Sequence, residues 1–204
     1  MIMNKTFKQN RIADRERGAS LIEVAIAILV LSIGAIGLAS LQINAKRAGF
    51  EAMQRTEASA LAMDIFERMR ANPGVLDDYV TVGVGEAVRA WSGVAEPTPP
   101  CATDPNDPCT AAQMATRDMW EWERALNGGT TSNDAGGLVR PTGCVSLDAV
   151  GGRLVTVEIA WEGFDVLKNA DAGAGCGTGS YNGTGGVVDG NRQLLRMTSY
   201  VGED

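Results

Sequence analysis

Arg17-Gly18-Ala19-Ser20-Leu21-Ile22-Glu23-Val24 passes from a cation to a single carboxylate, and the chain then runs uncharged from Val24 to Leu41. That run reads Val-Ala-Ile-Ala-Ile-Leu-Val-Leu-Ser-Ile-Gly-Ala-Ile-Gly-Leu-Ala-Ser-Leu, which is long enough to span a bilayer as a helix. An acid at its edge is costly, about 2.5–3.5 kcal/mol at full depth and less near the interface. Glu23 is therefore a functional residue by default rather than a neutral passenger.

Working outward, the residues before Gly18 form a short basic leader. Lys5, Lys8, Arg11, Arg15 and Arg17 face Asp14 and Glu16, a net +3. The whole chain of 204 residues carries −7, so the remainder carries −10. Positive charge before an apolar run keeps the N-terminus cytoplasmic, which places the acidic remainder on the far side, in the periplasm of a two-membrane cell. An acidic exterior argues against general nucleic-acid binding, which needs Lys and Arg against phosphate. There is no histidine, which removes Ser-His-Asp and Cys-His catalysis and the commonest metal ligand. Cys101, Cys109, Cys144 and Cys176 make an even count. In a translocated domain that implies disulfides, with three pairings open.

Beyond the apolar run, no proline occurs before Pro73, so a helix is predicted from about Ser20 to about Ala71. Its first half is apolar all round, and its second half is amphipathic. Leu61, Ala62, Ile65, Phe66 and Met69 share one face, while Glu51–Arg55 and Asp64–Arg68 form i,i+4 pairs on other faces. Asn72-Pro73-Gly74 ends the helix. Gly34 and Gly37 interrupt the apolar half, either to let helices pack closely or to soften the segment.

Shorter elements follow. Thr81 to Val88 reads as a short strand weakened by Gly83 and Gly85. Thr110-Ala-Ala-Gln113 has capping-box form, so a helix starts there, with Ala115, Met119, Trp122 and Leu126 on its apolar face and Gly128-Gly129 as its stop. Leu154 to Trp161 alternates as a half-buried strand, paired through a Gly151-Gly152 hairpin with the strand opened by Cys144. Leu194 to Val201 closes the sheet. The fold class is α+β: a long N-terminal helix, membrane-spanning in its first half, packed on a small antiparallel sheet.

Gly18 followed by Ala-Ser-Leu-Ile-Glu23 and an apolar helix resembles the class III signal of type IV prepilins. The resemblance implies a type IV pilin-like fold and cleavage after Gly18 by a prepilin peptidase. It implies usual methylation of the new N-terminus at Ala19, and an assembly role for Glu23 at the fifth mature position. Ala19 stands where this family usually has Phe or Met. The layout further resembles the PilV branch of minor pilins, the type IV pilus modification proteins. The shared features are the Cys101–Cys109 loop before a short helix, Asp118-Met-Trp-Glu-Trp122, Leu126-Asn-Gly-Gly129 and a late strand ending in Trp161. That likeness favours Cys101–Cys109, with Cys144–Cys176 tying the glycine-rich segment to the sheet.

The organisation expected is a removable leader over 1–18, a transmembrane and assembly helix over 19–45, its amphipathic second half over 46–72, and a periplasmic globular domain over 73–204. The function implied is that of a minor pilin in assembly, initiation or modification of type IV pili. Such a chain is a structural subunit and not an enzyme, with no cofactor and no metal. Its partners would be the peptidase, the inner membrane and other major and minor pilins. A minor pseudopilin of a type II secretion system has the same chemistry, and a pilus-tip adhesin or uptake module is a third reading. An ordinary signal peptide cut near Ala45 fits less well, because its core runs only about 7–15 residues and avoids acids such as Glu23.

Several weaker signals fall to bland readings. Gly173 to Gly179 lacks the strand and helix that a nucleotide fingerprint needs. Asp104, Asn106 and Asp107 lack calcium-loop spacing, and Asn182-Gly-Thr184 is a chance sequon. Trp122 and Trp161 lie on apolar faces and read as core, which leaves Trp120 as the contact residue.

Overall fold

The computed structural model describes residues 20–84, 97, 108–128, 138–148, 153–164, 175–181 and 189–202. Gly18, Ala19 and Cys101, the hairpin glycines 151 and 152, and residues 85–88 lie outside them. The chain forms two units, Met1–Lys46 and Arg47–Asp204.

Helix α1 runs over Leu21–Ala71. Gly34 and Gly37 stay helical, and a Cβ at either would meet nothing within 4 Å. In the first unit every described residue is exposed. From Arg47 onward α1 behaves as an amphipathic helix: Gln54, Ala58, Leu61, Ala62, Ile65, Phe66 and Met69 are buried. That set repeats at three- and four-residue spacing and makes one stripe. Asn72 leads from α1 into a 3-10 turn over Pro73–Tyr79, with Pro73 at its start. Proline fits there because the first turn leaves its missing N–H unneeded.

Helix α2, Ala111–Leu126, begins with the capping box complete. Thr110 accepts from the Gln113 amide, and the Gln113 side chain accepts from the Thr110 amide. Ala115, Trp122 and Leu126 are buried, with Met119 packed against them. Gly128 takes a positive φ of 77° just past the helix end, the left-handed conformation that glycine adopts without penalty.

The sheet has four antiparallel strands in the order β1 (Thr81–Val84), β2 (Thr142–Leu147), β3 (Leu154–Glu162) and β4 (Arg192–Tyr200). In β3, Val155, Val157, Ile159 and Trp161 point into the core shared with α1 and α2. Ala160, placed on the open face by alternation, is buried too. The cause is the segment Cys176–Tyr181, which covers that end of the sheet. Tyr181 donates its hydroxyl to the Ala160 carbonyl at 3.1 Å, and a Cβ on Gly177 would sit 3.4 Å from that of Ala160. The Cys144–Cys176 disulfide, Cα atoms 5.7 Å apart, holds the segment to β2. Cys109 is also disulfide-bonded.

Gly143 on β2 shows how closely α2 approaches. A Cβ there would stand 2.4 Å from the Trp122 ring and 2.8 Å from Leu126. Trp122 is fully buried, and its indole N–H donates to the Leu61 carbonyl of α1 at 2.9 Å.

Candidate functional site

Glu23 sits in the first turn of α1, its amide donating to the Ser20 carbonyl at 2.9 Å. A carboxylate in that turn is favoured by the partial positive charge at a helix N-terminus. Its side chain has no ion-pair or hydrogen-bond partner among the described residues. Behind it Ile26, Ile28, Leu29, Val30, Leu31 and Ile33 are each more than half exposed. Apolar surface on every side of a helix requires lipid or other helices as cover. This is the one helix among the described residues that is long and apolar enough to cross a membrane. Structure and sequence agree that one acid stands at the head of an otherwise uncharged rod. The cleavage junction Gly18–Ala19 lies outside the described residues.

In the second unit the polar features sit at the seam between α1 and α2. Arg68 donates to Asp64 at 3.0 Å, Asp118 at 3.0 Å and Glu121 at 2.7 Å. Asp118 also accepts the buried Tyr79 hydroxyl at 2.6 Å, and Asn72 donates to Tyr79 and to the Ala111 carbonyl. Partial burial alone would lower the Arg68 pKa, but Glu121, Asp118 and Asp64 outweigh it and hold it above the usual value. For Glu121, burial pushes upward, and Arg117 and Arg68 overcome it to hold the carboxyl below its usual range. Burial and the bond to Asp118 both raise the Tyr79 pKa. Each charge is answered by a partner, so the cluster fastens α2 to α1 and has no spare acid or base. Sequence reading found only its Asp64–Arg68 pair, because the other partners lie some fifty residues away.

Three further expectations meet the structure here. Trp161 and Trp122 are core, 1% and 0% exposed. Trp120 is partly exposed, with Arg117 and Arg124 each over its ring at 5.0 and 4.8 Å. Glu51 and Arg55 do not form the i,i+4 pair predicted for them; one Glu51 carboxylate oxygen is instead buried without a partner.

Comparison with known families gives two adjoining matches. Residues 14–39 match the prokaryotic N-terminal methylation motif, and residues 40–120 match the family described as type IV pilin Tt1218. No curated protein and no solved structure matches the chain. The long apolar helix, the small antiparallel sheet and these matches support a type IV prepilin-like protein with a pilus-related role. The motif and helix fit membrane anchoring and association with other pilins.

Proposed function

We propose that this chain is a minor pilin acting in assembly, initiation or modification of a type IV pilus, as a structural subunit and not an enzyme. The observation that carries the reading is the stretch after Glu23. It is uncharged to Leu41 and exposed on every face, with one unpartnered carboxylate at its head. In the membrane, lipid covers that surface, with the basic leader cytoplasmic and the acidic domain periplasmic. Cleavage after Gly18 removes the leader and exposes the amine of Ala19. Inside a bundle of like helices, that amine on one subunit neutralises Glu23 on the next. A buried pair of this kind roughly breaks even, whereas a lone buried charge costs several kcal/mol, so the pair sets register more than it adds stability.

The test is the mature N-terminus. Intact mass and N-terminal sequencing of protein from host membranes should show loss of residues 1–18 and a start at Ala19; an excess of about 14 Da on Ala19 would support N-methylation. A start near Lys46 would indicate an ordinary signal peptide and end the proposal.

A further inference from the structure

Ala48, Glu51, Ala52 and Arg55 on α1 share an open cleft of about 210 Å³ with Trp161 of β3 and Gln193 of β4. Two of its lining residues carry buried polar atoms without partners. One carboxylate oxygen of Glu51 and the indole N–H of Trp161 are buried and unbonded. The same holds for the side-chain oxygen of Gln54, three residues along the helix from Glu51. Trp161 is 1% exposed and Gln54 6%. Arg55, spaced to pair with Glu51, makes no ion pair among the described residues. Buried polar groups are nearly always satisfied in folded proteins. Two orphans lining one cleft, Glu51 and Trp161, with the Arg55 guanidinium in the same lining and outside any ion pair among the described residues, mark a place for a polar ligand.

The chemistry of that ligand follows from the donors and acceptors. Arg55 and the Trp161 N–H suit an anion such as phosphate. The Glu51 oxygen requires an N–H donor, preferably on a cation. Beside the cleft, Phe50 and Phe164 pack with ring centroids 6.3 Å apart, both more than half exposed. Arg47 and Arg55 lie within five residues of Phe50 along the chain, and exposed phenylalanines with nearby basic residues suit an anionic lipid surface. Ala48 follows Leu41, the last residue of the apolar run, by seven residues.

We propose that this cleft binds the phosphoethanolamine headgroup of a membrane lipid, with the Phe50–Phe164 pair against the lipid's glycerol and acyl region. The proposal rests on the membrane-anchored reading above. A choline headgroup has no N–H for Glu51, and a glycerol headgroup brings no cation, so both bind less well.

The experiment is native mass spectrometry of the full chain in detergent, titrated separately with phosphatidylethanolamine, phosphatidylcholine and phosphatidylglycerol. The ethanolamine lipid should be retained about tenfold more tightly than the choline lipid, the effect of about one charge-assisted hydrogen bond. Arg55→Gln should weaken all three lipids, and Glu51→Gln should abolish the ethanolamine preference. Trp161→Phe removes the indole N–H and leaves a smaller aromatic ring, and it should weaken retention. Equal retention of the three lipids, or indifference to every variant, overturns the proposal. So does equally tight binding of soluble glycerophosphoethanolamine, which would make the ligand a free solute. In cells, benzoylphenylalanine at position 164 should crosslink to lipid; a protein adduct in its place would make the cleft a subunit contact and refute the lipid assignment. Wild-type chain absent from membranes would fail the anchored reading itself, whereas membrane-bound chain without the preference fails the cleft alone.

Discussion

Residues 21–46 and residues 47–71 belong to one helix, yet they solve the problem of apolar surface in opposite ways. In the first stretch Leu21 is 89% exposed, and isoleucines on every face are open. In the second, Leu61, Ile65, Phe66 and Met69 are buried against β3 and α2, while Met53 and Met63 stay outside. The pattern of apolar residues, more than their number, separates the two. A stripe at three- and four-residue spacing finds its partner within the chain. A helix apolar all round has more surface than one sheet can cover and needs lipid or other helices. On the proposed function the first stretch is an assembly element, while the second is a piece of a domain core.

The largest effect that would break this contrast is in the core. Trp122→Ala should destabilise the second unit by about 3–5 kcal/mol, because it opens a cavity and removes the indole bond to the Leu61 carbonyl. Ile28→Ala removes an equally apolar side chain but should leave the thermal midpoint in detergent unchanged. A similar fall in both variants, followed by circular dichroism, would mean that residues 21–46 also stabilise the domain.

A smaller effect concerns the Cys176–Tyr181 segment, which closes the outer face of the sheet. Removing Cys144–Cys176 by a double serine substitution should cost about 2–4 kcal/mol, read from the denaturant midpoint. No change would mean that the other contacts hold it unaided, among them Tyr181 to Thr142 at 2.9 Å and Asp189 to the Gly179 amide.

The smallest effect is electrostatic. The folded-state pKa of Glu121 lies below its usual value, so its contribution is present above the ordinary carboxylate range. It is lost as pH falls through the lowered value. Unfolding measured from neutral to acid pH should show stability falling, and Glu121→Gln should flatten that fall. An unchanged slope would remove Glu121 from the fastening of α2 to α1.

Local patterns carried much of this into view from the sequence. The apolar run, the amphipathic stripe from Leu61 to Met69, the Thr110–Gln113 box and the alternation of β3 each depend on residues within a few positions of one another. What stayed hidden depends on distant partners. Ala160 is buried because a segment some sixteen residues later folds over it. Gly143 is glycine because Trp122 arrives from another element. Arg68 answers Asp118 and Glu121 across the seam, and Glu51, predicted to meet Arg55, turns inward instead. Glu23 was legible because an acid beside an uncharged run of that length has few ordinary explanations.

The most direct test of the assembly role is Glu23→Val at matched expression, followed by immunoblotting of membrane and sheared-filament fractions. The substitution removes the charge and makes the segment more apolar, so insertion and cleavage after Gly18 should continue. Incorporation into filaments should fall steeply, because a neighbour's ammonium would be left unpaired among apolar helices. If the variant reaches the filament fraction as fully as wild type does, Glu23 is a tolerated interfacial acid and the assembly role assigned to it is wrong.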